Sequence, residues 1–349
     1  MRRRKFTIFF MGLAFAWPFA IQAQAQAVDE CKRASGDIPI IGFLNPAGPE
    51  AIPQGLAAFR QGLNDAGYAE GHNVIIDYRW ANGNYDLLPE KAKQLVECRV
   101  ALIAATGGTK SAQAAKDATK TIPIVFGTGF DPVKTKLADS YAQPGGNATG
   151  VAMHTHARVA TRREMLAKML PGPEKRIAVL QNAAADVQSQ QGDLPQDLKD
   201  DHILKASSEA ELEAKFAEAR RNGYHGIIVA ADPFFGSRRA QIVAMAARHN
   251  LPAIYPWREY VETGGLMSYG ISFASAYRQI GLYAGRILNG AHPTGLPVMH
   301  PPDFNFSSSE RELQATSRFE LAINLTTAKA LQLAVPLELV QRANFMIGR

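Results

Sequence analysis

The sequence predicts an α/β protein built as two doubly wound parallel-sheet lobes, and three observations predict it. Short apolar runs without alternation recur along the chain, as in strands covered on both faces. Most of these runs end in a turn of Gly, Asn, Asp or Pro and lead into an amphipathic helix. This rhythm runs from residue 38 to about 153 and restarts at residue 176, giving two successive βα series.

In the first series, residues 38–44 form an apolar strand closed by Asn45-Pro46-Ala47-Gly48. The following helix carries Ile52, Leu56, Phe59, Leu63 and Ala66 at helical spacing, and Gly67 stops it. Residues 73–79 alternate more and read as a strand nearer the sheet edge. Residues 86–98 form a helix with Pro89 in its first turn and Leu88, Ala92 and Leu95 on one face. Residues 100–105 are a buried strand running into Thr106-Gly107-Gly108-Thr109-Lys110-Ser111. The two glycines permit a tight turn, and Thr109 is placed to cap an Ala-rich helix over 110–119. A strand feeding a helix amino terminus offers free N–H groups and a favourable dipole to an anion. Ligands of open α/β sheets bind at that edge. Residues 122–127 make a fourth strand, Asp131-Pro132-Val133 opens a helix with Asp131 as its cap, and residues 148–153 make a fifth strand.

The second series begins with the strand over 176–181, which ends at Asn182. Ser208-Glu209-Ala210-Glu211 is a capping box for a helix through Arg221. Residues 226–231 form another buried strand, closed by Asp232-Pro233-Phe234-Phe235 and followed by a helix to Asn250. Strands over 251–255 and 266–269 complete the second sheet. Tyr277, Ile280, Gly281, Ala284, Ile287 and Leu288 share one helical face that ends at Gly290. A cleft between two such lobes is the natural binding site.

The amino-terminal residues read as a leader rather than as fold. Arg2-Arg3-Arg4-Lys5 is a basic n-region, the next stretch to Ile21 is mostly apolar, and Ala23-Gln24-Ala25-Gln26-Ala27 offers two A-x-A sites. Residues 1–27 are therefore expected to be a signal peptide cleaved near Ala25 or Ala27, with general and twin-arginine export both open. Four of the positive charges behind the net +6 lie in this leader, and +2 remains without it. No basic stripe with interleaved aromatics is left, so a nucleic-acid partner is not expected. The two cysteines, Cys31 and Cys98, can bridge in an oxidising compartment, but their spacing does not establish it.

Several stretches together carry a family resemblance: residues 57–68 with Glu70-Gly71, residues 104–111, 122–126 and 144–151, and Asp131-Pro132-Val133. In the second half they are residues 231–239, 241–255, 264–270 and 319–331. With these blocks the chain resembles the periplasmic substrate-binding proteins of ABC transporters, type I fold, in the branch that includes tryptophan- and tyrosine-binding members. The resemblance implies a three-segment hinge, with residues 38–150 plus 268–292 in one lobe and 152–266 plus 318–349 in the other. Residues 293–317 would hold the third crossing, with an insertion over 302–317. Residues 181–204 are shorter and more polar than the resemblance implies.

The function expected from this likeness is capture of a small carboxylate-bearing molecule, such as an amino acid or aromatic acid, by closure of the lobes. Delivery to an ABC permease would follow, with the protein acting as an exported, periplasmic monomer. Gly108, Thr109 and Ser111 would supply donors to the carboxylate. Asn45 and Asp131 end neighbouring strands and serve equally well as ligand contacts or as turn caps. From the other lobe, Asn182 and Asp232 follow strand ends; Asp232 suits a ligand ammonium group or the N-cap of the next helix. Phe234, Tyr255, Trp257 and Tyr269 are candidate aromatic walls or core residues, and Glu259 is a weaker polar candidate. His154 and His156 share a strand face but lack an evident third ligand, so no metal is expected. No P-loop spacing, G-x-S-x-G elbow or H-E-x-x-H helix is present, so neither a cofactor nor catalysis is expected. A ligand-sensing module docking on a membrane receptor is the alternative, followed by an exported enzyme using the same cleft.

Overall fold

A computed structural model describes residues 38–155, 158–184, 202–300 and 319–348. The first sheet comprises β1 (Ile40–Asn45), β2 (Ile75–Trp80), β3 (Leu102–Ala105), β4 (Ile124–Thr128) and β5 (Ala148–Ala152), all parallel, in the order β2-β1-β3-β4-β5. Helices α1 (Pro53–Asp65), α2 (Leu88–Glu97) and α3 (Thr109–Ala118) connect its first four strands. Every residue of β3, β4 and β5 is buried, which accounts for their unbroken apolar character. The more alternating β2 is an edge strand, as its pattern predicts.

The second sheet has the order β12-β11-β10-β9-β8-β6-β7. Its first strands are β6 (Ile177–Gln181), β7 (Ile203–Lys205), β8 (Gly226–Val229), β9 (Ala253–Tyr255) and β10 (Met267–Ile271). Between them lie α5 (Glu209–Arg221), α6 (Pro233–Ser237), α7 (Arg239–Arg248) and α8 (Arg258–Glu262), with α4 (Val159–Met169) ahead of β6. The capping box of α5 is present: Ser208 accepts from the Glu211 N–H, and the Glu211 carboxylate accepts from the Ser208 N–H.

After β10 the chain returns to the first sheet as α9 (Phe273–Leu288), whose Tyr277, Ile280, Ala284 and Ile287 join Ile41, Phe43 and Phe59 in one core. Met299 then pairs beside Val151 of β5, and the chain re-enters the second sheet as β11 (Phe319–Asn324), α10 (Leu325–Ala330), α11 (Leu337–Arg342) and β12 (Phe345–Ile347). From Pro39 onward the chain clusters as one unit holding both sheets. Among the described residues no helix is long and apolar enough to cross a membrane.

The structure departs from expectation in five places, the first being that α6 and α7, separated at Arg238, stand where a turn and one helix to Asn250 are expected. Residues 131–138 run as turns rather than a helix: Asp131 Oδ1 accepts from the N–H groups of Val133 (2.8 Å) and Lys134 (3.3 Å), closing a local turn instead of capping a helix. Thr109 is the first residue of α3 rather than its cap; Gly108 holds that position, with φ +120°. The second sheet is mixed, because β11 runs antiparallel to β10. Ile271, where β10 ends, lies opposite Phe319, where β11 begins, so the chain leaves and re-enters at one end of the sheet. The return to the first sheet consequently follows Ile271, beyond the expected 268. The leader, Cys31, His156, the segment 302–317 and most of 181–204 lie outside the described residues. Cys98 is disulfide-bonded.

Candidate functional site

In each sheet the strand order reverses once, at the strand next to an edge, and those two reversals define the site. In the first sheet β2 and β3 leave β1 in opposite directions, placing the crevice at Asn45 and the Thr106–Gly108 turn. In the second sheet β7 and β8 flank β6, placing the corresponding crevice at Asn182 and the 230–232 turn. A cleft open to solvent joins the two edges.

On the first-sheet side the wall is Asn45, the start of α1, Tyr85 and the Gly107–Lys110 corner. Gly107 has φ +80°, and a Cβ there would lie 2.6 Å from Pro46 Cδ, so the corner closes only with glycine. The amino terminus of α3 has no side-chain cap. Thr109 Oγ1 sits 2.8 Å from Thr128 Oγ1, which fixes the rotamer of the side chain beside that terminus. The second-sheet wall comprises Ala231, Asp232, Gly236, Arg239, Trp257 and Glu259. Met153 and Thr155, on the stretch after β5 where the chain first crosses from one sheet towards the other, join Phe273 and Tyr277 of α9 in the lining.

Of the residues expected at the site, the cleft brings together Asn45, Gly108, Thr109, Asp232, Trp257 and Glu259. Asn45 reaches the wall already committed. Its Nδ2 donates to Thr106 Oγ1 (2.8 Å) and Tyr277 Oη (3.3 Å), and its Oδ1 accepts from the Ala47 N–H (2.8 Å). It braces the strand-order reversal against α9. Burial pushes the Tyr277 phenol up to about 12, although bonds to Thr106 and Asn45 oppose the rise.

Six expected residues do not reach the lining. Ser111 is fully buried, and its hydroxyl points back to the carbonyls of Thr106 (2.5 Å) and Gly108 (2.8 Å). Asp131 is spent on its own turn. Asn182 is buried behind the wall, where its Nδ2 donates to Asp232 Oδ1 at 2.9 Å. Phe234 packs into the second-sheet core beneath the Arg238 guanidinium, 4.3 Å from its ring centroid. Tyr255 is core as well, stacked on Tyr260 at 4.7 Å, and Tyr269 stacks on Phe319 at 5.6 Å. A strand-end position fixes where a residue stands but not which face it takes.

Tyr85, Lys110, Arg239 and Phe273 are lining residues that sequence reasoning missed. Tyr85 follows β2 by one short turn, the strand-end signal that singled out Asn45 and Asp232. Its hydroxyl donates to Asp232 Oδ2 at 2.9 Å. Asp232 therefore accepts from Tyr85, Asn182 and the Phe234 N–H (2.8 Å) at once. Burial nevertheless outweighs these donors and holds its carboxyl above the ordinary value. Burial also raises Glu259, with the Arg239 charge opposing it. At the first crossing His154 takes φ +47° and lies against Tyr141, its Nε2 3.1 Å from the phenol oxygen. Among the described residues no group of three or more His, Cys, Asp or Glu is placed to hold a metal.

Comparison with known proteins gives consistent matches. A family model described as ABC transporter substrate binding protein matches residues 37–347. A protein named tyrosine-binding protein, from Clostridioides difficile, is 27% identical over 286 residues, covering 81% of this chain and 82% of the relative. Among solved structures, an ABC domain in complex with L-Trp from Streptococcus pneumoniae is 24% identical, with a TM-score of 0.73 over 89% of this chain and 100% of that one. A ligand-free, open substrate-binding protein from Clostridium difficile, 23% identical, gives a TM-score of 0.58 over 89% of this chain and 100% of that one.

Proposed function

We propose, from the premise that this chain belongs to the family of ABC transporter substrate-binding proteins, that it captures a small carboxylate-bearing molecule between its two lobes and delivers it to an ABC permease. The observation that carries this reading is the uncapped amino terminus of α3, which follows the Gly107–Gly108 turn and faces the cleft. Backbone N–H groups and the helix dipole favour negative charge there, and charge-assisted bonds of this kind are worth roughly 1.5–3 kcal/mol each. The Gly108 N–H already donates to the Gly127 carbonyl at 3.0 Å, so the contacts we assign to the carboxylate are the N–H groups that follow it, from Thr109 onward. The aromatic residues Tyr85, Trp257, Phe273 and Tyr277 surround the same space, which favours a ligand with an aromatic or otherwise apolar body. The named ligands of the tyrosine-binding relative and the L-Trp complex support an aromatic amino acid. For its ammonium group Glu259 is the better acceptor, since Asp232 already receives three donors.

In this reading the protein is not an enzyme. Residues 1–27 direct it to the periplasm, and lobe closure presents the loaded form to the permease. The test is a melting-temperature screen of purified protein against L-tyrosine, L-tryptophan and aromatic carboxylic acids, each beside its amide. A ligand at a hundredfold excess over its Kd stabilises by about 2.7 kcal/mol, so a true carboxylate ligand raises Tm clearly and its amide does not. Equal shifts with acid and amide, or no shift with any of them, would refute the carboxylate assignment.

A further inference from the structure

Among the described residues, three polar contacts cross the cleft, each joining an element of the first sheet to one of the second. Gln54 Nε2 donates to Glu262 Oε2 at 3.4 Å, and Lys110 Nζ donates to the Ala184 carbonyl at 2.5 Å; both are exposed. The third, from Tyr85 Oη to Asp232 Oδ2 at 2.9 Å, is partly buried and stands on the cleft wall itself. It is also the most supported of the three. Asn182 Nδ2 and the Phe234 N–H fix the other carboxylate oxygen at 2.9 and 2.8 Å, and the Lys110 ammonium lies 5.5 Å over the Tyr85 ring. The Tyr85 body packs into the first-sheet core, so the hydroxyl is presented from a braced ring rather than a loose loop.

We infer that Tyr85 and Asp232 are positioning residues that latch the two lobes shut across the cleft, and that the latch holds the cleft closed before any ligand enters. The inference rests on the cleft being the capture site. Both partners are protein groups, so the bond is available to the empty cleft as well as to the filled one. Each carboxylate oxygen of Asp232 has an assigned donor, so its first task is to receive Tyr85. A hydrogen bond to a charged acceptor shielded from water shifts a two-state equilibrium by about tenfold or more. A ligand that enters only the open form meets that fraction alone.

The experiment uses the protein dialysed free of ligand, verified by mass spectrometry of the denatured supernatant. Small-angle scattering then compares wild type with Tyr85→Phe and Asp232→Asn. Tyr85→Phe deletes only the donor. Asp232→Asn keeps Oδ1 for Asn182 and Phe234 and turns its amide towards the Tyr85 oxygen, so the bond survives with its direction reversed. The expected result is a compact wild type, a larger radius of gyration for Tyr85→Phe with an open-to-closed ratio raised about tenfold or more, and a compact Asp232→Asn. Unchanged far-UV circular dichroism separates opening from unfolding. Identical radii for wild type and Tyr85→Phe would overturn the latch, as would an Asp232→Asn protein as open as Tyr85→Phe. Because no ligand is added, failure of the carboxylate screen leaves this comparison unaffected.

Discussion

At Asp232 two physical effects pull against each other. Three donors favour its carboxylate form, yet burial is larger and raises the carboxyl above its ordinary value near 3.8. The folded protein therefore holds this proton more tightly than the unfolded chain does. The resulting stability is complete below the unfolded value, and it is lost as pH rises through the folded one. Asp232→Asn has no proton to take up. The melting temperature of wild type minus that of Asp232→Asn should accordingly increase on going from about pH 7 to about pH 4, since groups common to both proteins cancel. A flat or opposite trend would mean that the donors, not burial, dominate. The same residue shows where sequence reading stops. Asn45, Gly108, Thr109 and Asp232 were legible as wall residues because each ends or follows a strand at the right sheet edge. That Asn45 and Asn182 spend their amide nitrogens on protein partners depends on groups brought near only by folding, Tyr277 for Asn45 and Asp232 for Asn182; Ser111 instead turns to carbonyls three and five residues before it.

Among the elements, α9 has the most to hold together, since it follows a strand of the second sheet yet packs on the first. Its contact with α1 is made through glycines. A Cβ on Gly281 would collide with the Phe59 carbonyl, and one on Gly62 with the Arg278 carbonyl, so the two helices touch backbone to backbone. Gly281→Ala cannot be absorbed by a rotamer change and should cost about 3 kcal/mol or more, read as a lowered urea midpoint with unchanged slope. Ala on the exposed side of α9 is the control. The apolar face of this helix was readable from its spacing, and so were the buried strands, whose composition reports their double coverage. The turns over 131–138 were not readable, because Asp-Pro caps a helix and closes a turn with the same local geometry. Nor was the direction of β11, which follows from where the chain re-enters the sheet rather than from the residues of the strand.

At the scale of the whole molecule, the proposed capture needs the lobes to move as bodies while the crossings between them keep their register, and Arg162 stands where that register is kept. It is fully buried on α4, and its guanidinium donates from Nε to the Tyr269 carbonyl (2.8 Å) and from Nη1 to the Thr155 carbonyl (2.9 Å). Thr155 belongs to the first crossing, and Tyr269 lies in β10 just before the second. One side chain thus ties both crossings together. Burial, with the neighbouring charge of Arg158 adding to it, makes the ionised guanidinium costly and draws its pKa down to about 9. Nη2 has no hydrogen-bond partner among the described residues. Charge is therefore not what Arg162 contributes to the fold; its planar fork, reaching two carbonyls at once, is. Arg162→Met and Arg162→Lys separate these possibilities. Methionine leaves both carbonyls without a donor and should lose roughly 2–4 kcal/mol in urea unfolding. Lysine keeps the charge but has a single donor point that cannot serve two carbonyls, so it should destabilise at least as much. If lysine instead restored wild-type stability, the fixed charge, and not the two-pronged geometry, would be what holds the crossings in place.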